Sequence, residues 1–297
     1  MKFYGISLIL IQGRISLVTF RRWQWLSSLI SELLSKFELC LAQSKADGKR
    51  LSLLGASNVK SEGNLKLATA PLPINQTLLS EFCHEVGSRP AWLAASTHDL
   101  EEQIVWQVHK KVEREVPSLL TIIVPRHSER GRQISEELAR LGAKVARRSQ
   151  NDPIENDTNI YIADTTGELG LFYRFVDIVF IGKSFVNLGG QNLIEPAQLK
   201  NAILHGPFMW NFEQVVKELR ENSAAITVKD GNELAKELQK LFLDSLYREN
   251  FINAAYNFSE TQAHVIENVF SKLKPFFKHV EEEEYTSETP RILEAKE

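Results

Sequence analysis

Cysteine is nearly absent. Cys40 and Cys83 are the only two in 297 residues, and they stand far apart with no Cys-x-x-Cys pair. That scarcity excludes a disulfide framework and a thiolate metal cluster, and it fits a reducing cytoplasm. Long apolar runs are missing as well. The most apolar stretch near the start, residues 6–11, stops at Gln12-Gly13-Arg14, far short of the roughly 20 residues that a spanning helix requires. With Lys2 before it, this stretch imitates a signal peptide. No small-residue cleavage pattern follows, and a buried strand of a parallel sheet accounts for it better. The net charge is only −3. From Glu281 onward seven glutamates face only Arg291 and Lys296. The rest of the chain is close to neutral and lacks the basic excess that draws nucleic acid, so no nucleic-acid partner is expected. The acidic end, 278–297, reads as a solvated, disordered tail.

What is present is an alternation. Hydrophobic residues make up 43% of the chain and charged residues 25%, a globular composition, and the length suits two domains. Strands are expected at 8–11 and 39–42. Between them an amphipathic helix is expected over 22–36, with Trp23, Leu26, Ile30, Leu33 and Leu34 at helical spacing. A second helix follows, and Gly55 ends it. The composition shifts at Pro71 and Pro73. Beyond them strands are expected at 92–95, 120–124, 144–146, 160–163, 178–181, 203–204 and 225–228. Helical patterns separate most of these, and two or three consecutive helices fill 231–277. This rhythm predicts an α/β fold with a doubly wound parallel sheet that binds ligands at the carboxyl ends of its strands.

The segment Gly189-Gly190-Gln191-Asn192-Leu193-Ile194-Glu195-Pro196-Ala197 follows the apolar run 177–182 and opens a helix. Two glycines let backbone approach a ligand closely, and the free amides of a helix start receive an anion. Glu195 suits sugar hydroxyls, so the segment points to a sugar nucleotide and a glycosyltransferase. Asn192-x-x-Glu195 equally matches a capping box with no ligand at all. Three further loops each follow an expected strand: Ser96-Thr97-His98 through Glu102, Pro125-Arg126-His127-Ser128-Glu129-Arg130, and Asp164-Thr165-Thr166-Gly167-Glu168-Leu169. Each has a plain structural use, with Ser96 and Thr165 as helix caps, Thr165-x-x-Glu168 as a capping box and Arg130 as a solvated charge. Four such loops on one sheet edge together predict a nucleotide-sugar cleft.

These motifs, in this order, resemble the bacterial 3-deoxy-D-manno-octulosonic acid (Kdo) transferases of lipopolysaccharide assembly. Gln12-Gly13-Arg14-Ile15-Ser16, Ala42-Gln43-Ser44 and Gly63-Asn64-Leu65-Lys66 fit the same family. The resemblance covers about residues 8–277 and implies a GT-B architecture, two Rossmann-like domains facing each other across a cleft. Residues 1–70 would then be the second half of the acceptor domain, 71–78 a linker and 79–277 the domain that binds CMP-Kdo. The implied activity moves Kdo from CMP-Kdo to a lipid A precursor on the cytoplasmic face of the inner membrane, with no cofactor and no metal. Carried over residue by residue, the resemblance places CMP against Pro125 and Arg126, against Thr166, Gly167 and Glu168, and against Asn192, Leu193, Ile194 and Glu195. Arg126 offers a planar fork of donors to the phosphate or the Kdo carboxylate. Amides at Gly167 and around Gly190 suit phosphate oxygens, while Glu195 and Glu168 suit the ribose or the base. Lys66 falls at the family position that stabilises charge as CMP departs; by its residues alone it is a surface lysine beside Gly63.

The chain also departs from the family. An amino-terminal membrane anchor and a glycine-rich loop with the catalytic glutamate have no counterpart before residues 5–11. The first Rossmann-like domain is therefore expected to be incomplete, exposing sheet edge and apolar surface. Lys183 stands where the family usually has a glycine and Gln191 where histidine is frequent. Lys183 either crowds its loop or adds a phosphate contact. Two readings follow, a Kdo transferase or a non-catalytic remnant that at most binds CMP. Arg21, Arg22, Trp23, Trp25 and Lys36 mix cations with interfacial aromatics along 20–37. That segment either meets an anionic membrane surface or packs inside the acceptor domain.

Overall fold

A strand that is apolar at every position must be covered on both faces, and the runs of valine, isoleucine and leucine dictate such strands here. The structure is a computed structural model that describes residues 7–68 and 70–277. By its internal contacts the chain divides into two units, one of residues up to 68 together with those from 262 on, the other of residues 69–261.

The smaller unit begins with β1 (Ile9–Gly13), α1 (Leu17–Gln24), α2 (Ser27–Leu34), β2 (Leu39–Ala42), α3 (Lys45–Leu53) and β3 (Val59–Ser61). Its sheet has the order β1-β2-β3, with β1 and β3 both parallel to β2. The two-residue period of a strand sends alternate side chains to opposite faces. Cys40 and Ala42 accordingly pack with Ile30, Leu34, Leu51 and Leu54. Leu39 and Leu41 pack on the other side with Ala68, Val265, Val269 and Leu273. The helix expected over 22–36 is two helices. Leu26, at φ −115 and ψ 39, lies outside helical geometry, and Ser27 and Ser28 follow it, residue types that offer the backbone alternatives to helix. The short β3 was not expected from the sequence.

The larger unit contains α4 (Gln76–Val86), β4 (Ala91–Thr97), α5 (Glu101–Val112), β5 (Leu120–Pro125), α6 (Gly131–Arg140), β6 (Val145–Arg147), β7 (Ile160–Ile162) and α7 (Leu169–Phe175). It continues with β8 (Ile178–Ile181), α8 (Ile194–Gln198), β9 (Ala202–His205), α9 (Glu213–Glu221), β10 (Ile226–Thr227), α10 (Gly231–Leu243) and the first part of α11 (Ser245–Leu273). Seven parallel strands lie in the order β10-β9-β8-β4-β5-β7-β6. β5, β7, β8 and β9 are buried at every residue. Helices bury one face against them; α6, for example, turns Ile134 and Leu138 inward and pairs Arg132 with Glu136 outside. The chain leaves β4 toward β5 on one side and later returns to β4's other side as β8, so the β4/β8 boundary is the topological switch point where doubly wound sheets bind ligands.

The boundaries differ from those expected. Residues 71–78 are not a free linker: the Leu72 carbonyl accepts a 2.8 Å bond from Arg174, Pro73 O packs over Gly170, and α4 already begins at Gln76. The division falls inside α11, because Val265, Val269 and Leu273 cover Leu39 and Leu41, so 262–277 group with the smaller unit. Among the described residues no helix is long and apolar enough to cross a membrane. The acidic stretch 278–297 lies outside the described residues.

Candidate functional site

The four loops singled out in the sequence follow β4, β5, β7 and β8, which are neighbours in the order β8-β4-β5-β7. They share one edge of one sheet.

At the switch point one buried carboxylate ties two of the loops together. Glu101, the first residue of α5, is fully buried. Its Oε2 accepts the amides of His98 at 2.9 Å and Lys183 at 2.6 Å, and its Oε1 accepts those of Ser184 at 3.0 Å and Phe185 at 2.9 Å. Burial pushes its pKa up while the four amides pull it down. Gly182 sits where β8 meets β4, and a Cβ there would lie 2.7 Å from Ser96 O and Thr97 Cα. The sequence placed Glu101 in the loop but held no sign that it fastens residues 183–185, since that bond joins positions far apart in the chain.

The cations along this edge fall into two kinds. Arg130 is held by Glu102 at 2.8 Å and Asp99 at 3.1 Å. Arg147 grips Asp164 at 2.7 Å, and bonds from Ser149 and Arg147 hold that carboxyl below its usual range in spite of its burial. Arg148 holds Glu168 through two bonds of 2.7 and 2.6 Å, and the Thr165 hydroxyl also donates to Glu168. Bonds from Arg148 lower the Glu168 pKa. These three arginines are structural. Arg126 differs: it is exposed, its amide donates to Thr97 O at 3.0 Å, and among the described residues no carboxylate lies within 4.0 Å of its guanidinium. Its charge does act on Glu195, whose pKa is raised by burial against the opposing effects of Asn192 and Arg126.

Asn192 and Glu195 stand together, with Asn192 Nδ2 donating to Glu195 Oε1 at 3.0 Å and Ile194 N–H donating to Asn192 Oδ1 at 3.0 Å. These bonds form an Asx turn rather than the expected capping box: the N-cap of α8 is Leu193, and no side chain caps it. Leu193 and Ile194 are 0% and 1% exposed, so their side chains belong to the core. Thr166 and Gly167 are exposed, and Gly167 takes φ +84 with open space around it. Pro125 ends β5 in register with Thr97. Gly189 and Gly190 also serve a packing need. At φ +91 and +74, an added Cβ would meet the Trp210 ring at 2.8 Å and would clash with Met209 Sδ. They are glycines because the 207–212 loop packs on them. The Lys66 backbone lies in a 3₁₀ turn, Leu65–Leu67, of the smaller unit, and its side chain lies outside the described residues.

The sequence offered Glu168 to the ribose or the base; in the structure its oxygens accept bonds from Arg148 and Thr165. A ligand reaching Glu168 must share or replace Arg148. Glu168 and Arg148 border a hollow of about 360 Å³ with Tyr161, Glu81 and Glu85. His98 went unassigned in the sequence. It is half-buried, its ring meets that of His127 edge-on at 5.5 Å, and its pKa is lowered by burial and by the charges of Lys183, His127, Arg130 and Arg126. Its signal was its place directly after a buried strand.

Comparison with known proteins identifies similar chains and folds. Residues 1–69 match the family model described as 3-deoxy-D-manno-octulosonic-acid transferase (kdotransferase). The chain is 31% identical over 274 residues to the 3-deoxy-D-manno-octulosonic acid transferase of Rickettsia bellii, covering 91% of this chain and 65% of that protein. It is 29% identical over 281 residues to the Haemophilus influenzae enzyme of the same name, covering 92% and 65%. The chain thus spans about two thirds, or less, of the length of the curated relatives it matches. Among solved structures, the C-terminal CMP-Kdo binding domain of WaaA from Acinetobacter baumannii superposes with a TM-score of 0.58 at 26% identity, covering 62% of this chain and 98% of that domain. The fold is α/β with parallel sheets of the GT-B glycosyltransferase type.

Proposed function

We propose that this chain, a member of the 3-deoxy-D-manno-octulosonic acid transferase family and so a glycosyltransferase, takes Kdo from CMP-Kdo and passes it to a lipid A precursor. The observation that carries the reading is Arg126, exposed beside Asn192 and Glu195 at the switch-point edge while Arg130, Arg147 and Arg148 are all bound by carboxylates. In this reading Arg126 binds the phosphate of CMP through its planar fork, with amides near Gly167 supplementing it. Asn192 and Glu195 bind sugar hydroxyls, and the backbone of Pro125, Thr166, Leu193 and Ile194 lines the nucleotide. The acceptor hydroxyl attacks the anomeric carbon and gives its proton to a general base, the bond from that carbon to the phosphate oxygen breaks, and CMP leaves with the electron pair. Lys66 is the residue to which the family resemblance assigns stabilisation of the charge that develops as CMP departs.

The acceptor implies work at a lipid surface, and α1 with α2 suits it. Trp25 is 90% exposed, and Leu17, Val18, Leu26, Leu29 and Leu33 are exposed with it, next to Arg21 and Arg22. We assign these two helices to peripheral contact with anionic lipid on the cytoplasmic face of the membrane.

Titration calorimetry of the chain with CMP, and with UMP as control, tests the donor site. CMP is expected to bind more tightly than UMP, and Arg126→Ala to weaken CMP by about 1.5–3 kcal/mol, the range for a bond to a charged group. No heat and no thermal shift at millimolar CMP sinks the reading, and an unchanged affinity in Arg126→Ala removes Arg126 from the site.

A further inference from the structure

Lys183 holds a backbone conformation that lysine ordinarily avoids. Its φ is +60, at the point where β8 leaves the sheet, and Ser96 at the end of the adjacent β4 has φ +57. Residues kept in this region persist where their surroundings over-determine them, and they concentrate at binding and catalytic sites. Here the surroundings are explicit. The Lys183 amide donates to buried Glu101 at 2.6 Å, and its carbonyl accepts the Gly190 amide at 2.8 Å. The backbone of Lys183 thereby links the Glu101 tie to the turn that leads into Asn192 and Glu195.

The side chain is half-buried, and among the described residues no carboxylate lies within ion-pair distance of its ammonium. Its charge acts on His98 together with that of Arg126. The charge of Arg130, which also acts there, is cancelled by Glu102 and Asp99. Lys183 and Arg126 thus stand on loops after β8 and β5, at the mouth of the switch point, and neither has a carboxylate within ion-pair distance among the described residues. An anion that reaches both loops is attracted by each of these side chains.

We propose that Lys183 is an oxyanion-binding residue of the donor site, its ammonium acting with Arg126 on the phosphate of the nucleotide or the carboxylate of the sugar. This rests on the donor-site reading above, which assigned phosphate to Arg126 and gave Lys183 no part.

The test is Lys183→Gly and Lys183→Arg in the full chain, titrated at low salt with CMP, cytidine and free Kdo, with melting curves alongside. Glycine suits φ +60, so Lys183→Gly is expected to melt at the same temperature or higher. It is also expected to bind CMP about tenfold more weakly, the size of one charge-assisted bond, while cytidine is unaffected. Lys183→Arg keeps most of the affinity. A loss seen with free Kdo in place of CMP identifies the anion as the carboxylate. Unchanged affinity for both ligands in Lys183→Gly overturns the proposal while leaving the donor site intact. If the natural chain binds UMP as tightly as CMP and the glycine variant loses both alike, the cytidine-donor reading fails and the oxyanion role of Lys183 stands.

Discussion

Four backbone amides converge on the side chain of Glu101, and no water is needed to satisfy them. Glu101→Gln swaps one acceptor oxygen for an NH2 group that faces two of those donors. Leaving two buried amides unpaired costs about 1–3 kcal/mol each, so thermal unfolding should register a loss of about 2–6 kcal/mol, and the His98 and Lys183 loops should loosen together. Gly182→Ala attacks the same junction differently, because its Cβ would press on the backbone of Ser96 and Thr97, which no rotamer change relieves. A fall in melting temperature with weakened CMP binding is expected; an unchanged melting curve would show that β4 and β8 tolerate separation. His109 supplies a pH dependence. It is fully buried with Nδ1 at 2.8 Å from Thr121 Oγ1, and burial lowers its pKa from 6.5 to about 4. The folded form therefore resists the proton that the unfolded chain accepts. Stability is intact above pH 6.5 and declines as pH falls toward 4, by a total of about 3 kcal/mol at 1.36 kcal/mol per pH unit. Urea unfolding across that window is the measurement, and His109→Gln should flatten its slope.

Among the elements, α1 and α2 are unusual for what they leave uncovered. α1 has no buried residue, and α2 buries only Ile30 and Leu34. The break at Leu26 turns what would be one stripe into two short helices that both carry exposed apolar side chains. Co-sedimentation with vesicles of anionic lipid should recover the chain, and an Arg21→Glu, Arg22→Glu double variant should lose most of that binding at about 0.1 M salt, since each cation near such a surface contributes about 1 kcal/mol. Equal recovery of both proteins would remove the membrane assignment. Along the sheet edge the elements sort their charges by whether a carboxylate is in reach: Arg147 and Arg148 sit one after the other at the end of β6, yet one answers Asp164 and the other Glu168.

For the whole molecule, the division inside α11 has a consequence. Val265, Val269 and Leu273 are the apolar cover of Leu39 and Leu41. A chain ended after residue 261 should expose the face of the smaller sheet that carries them while leaving the larger unit's own core, from Trp92 to Leu241, in place. Limited proteolysis should then cleave within 7–68 and spare 70–261, and the thermal shift with CMP should persist. Loss of the CMP response in that shortened chain would show that the donor site depends on residues beyond the larger unit.

Strand identity and the site edge were legible in the sequence because they depend on local pattern. Continuous apolar runs allow only doubly covered strands, and in a parallel sheet every loop that follows a strand ends on the same edge. That logic brings together Ser96 to Glu102, Pro125 to Arg130, Asp164 to Glu168 and Gly189 to Glu195. Partnership was not legible, because it joins residues whose separation along the chain carries no signal. Only the tertiary structure decided that Glu168 answers Arg148 and leaves Arg126 open, that Glu101 fastens 183–185, and that Met209 and Trp210, besides any ligand, require Gly189 and Gly190. The grouping of the end of α11 with the smaller unit was not legible for the same reason. Its sequence says that it has an apolar face, but which sheet covers that face depends on where the chain has travelled.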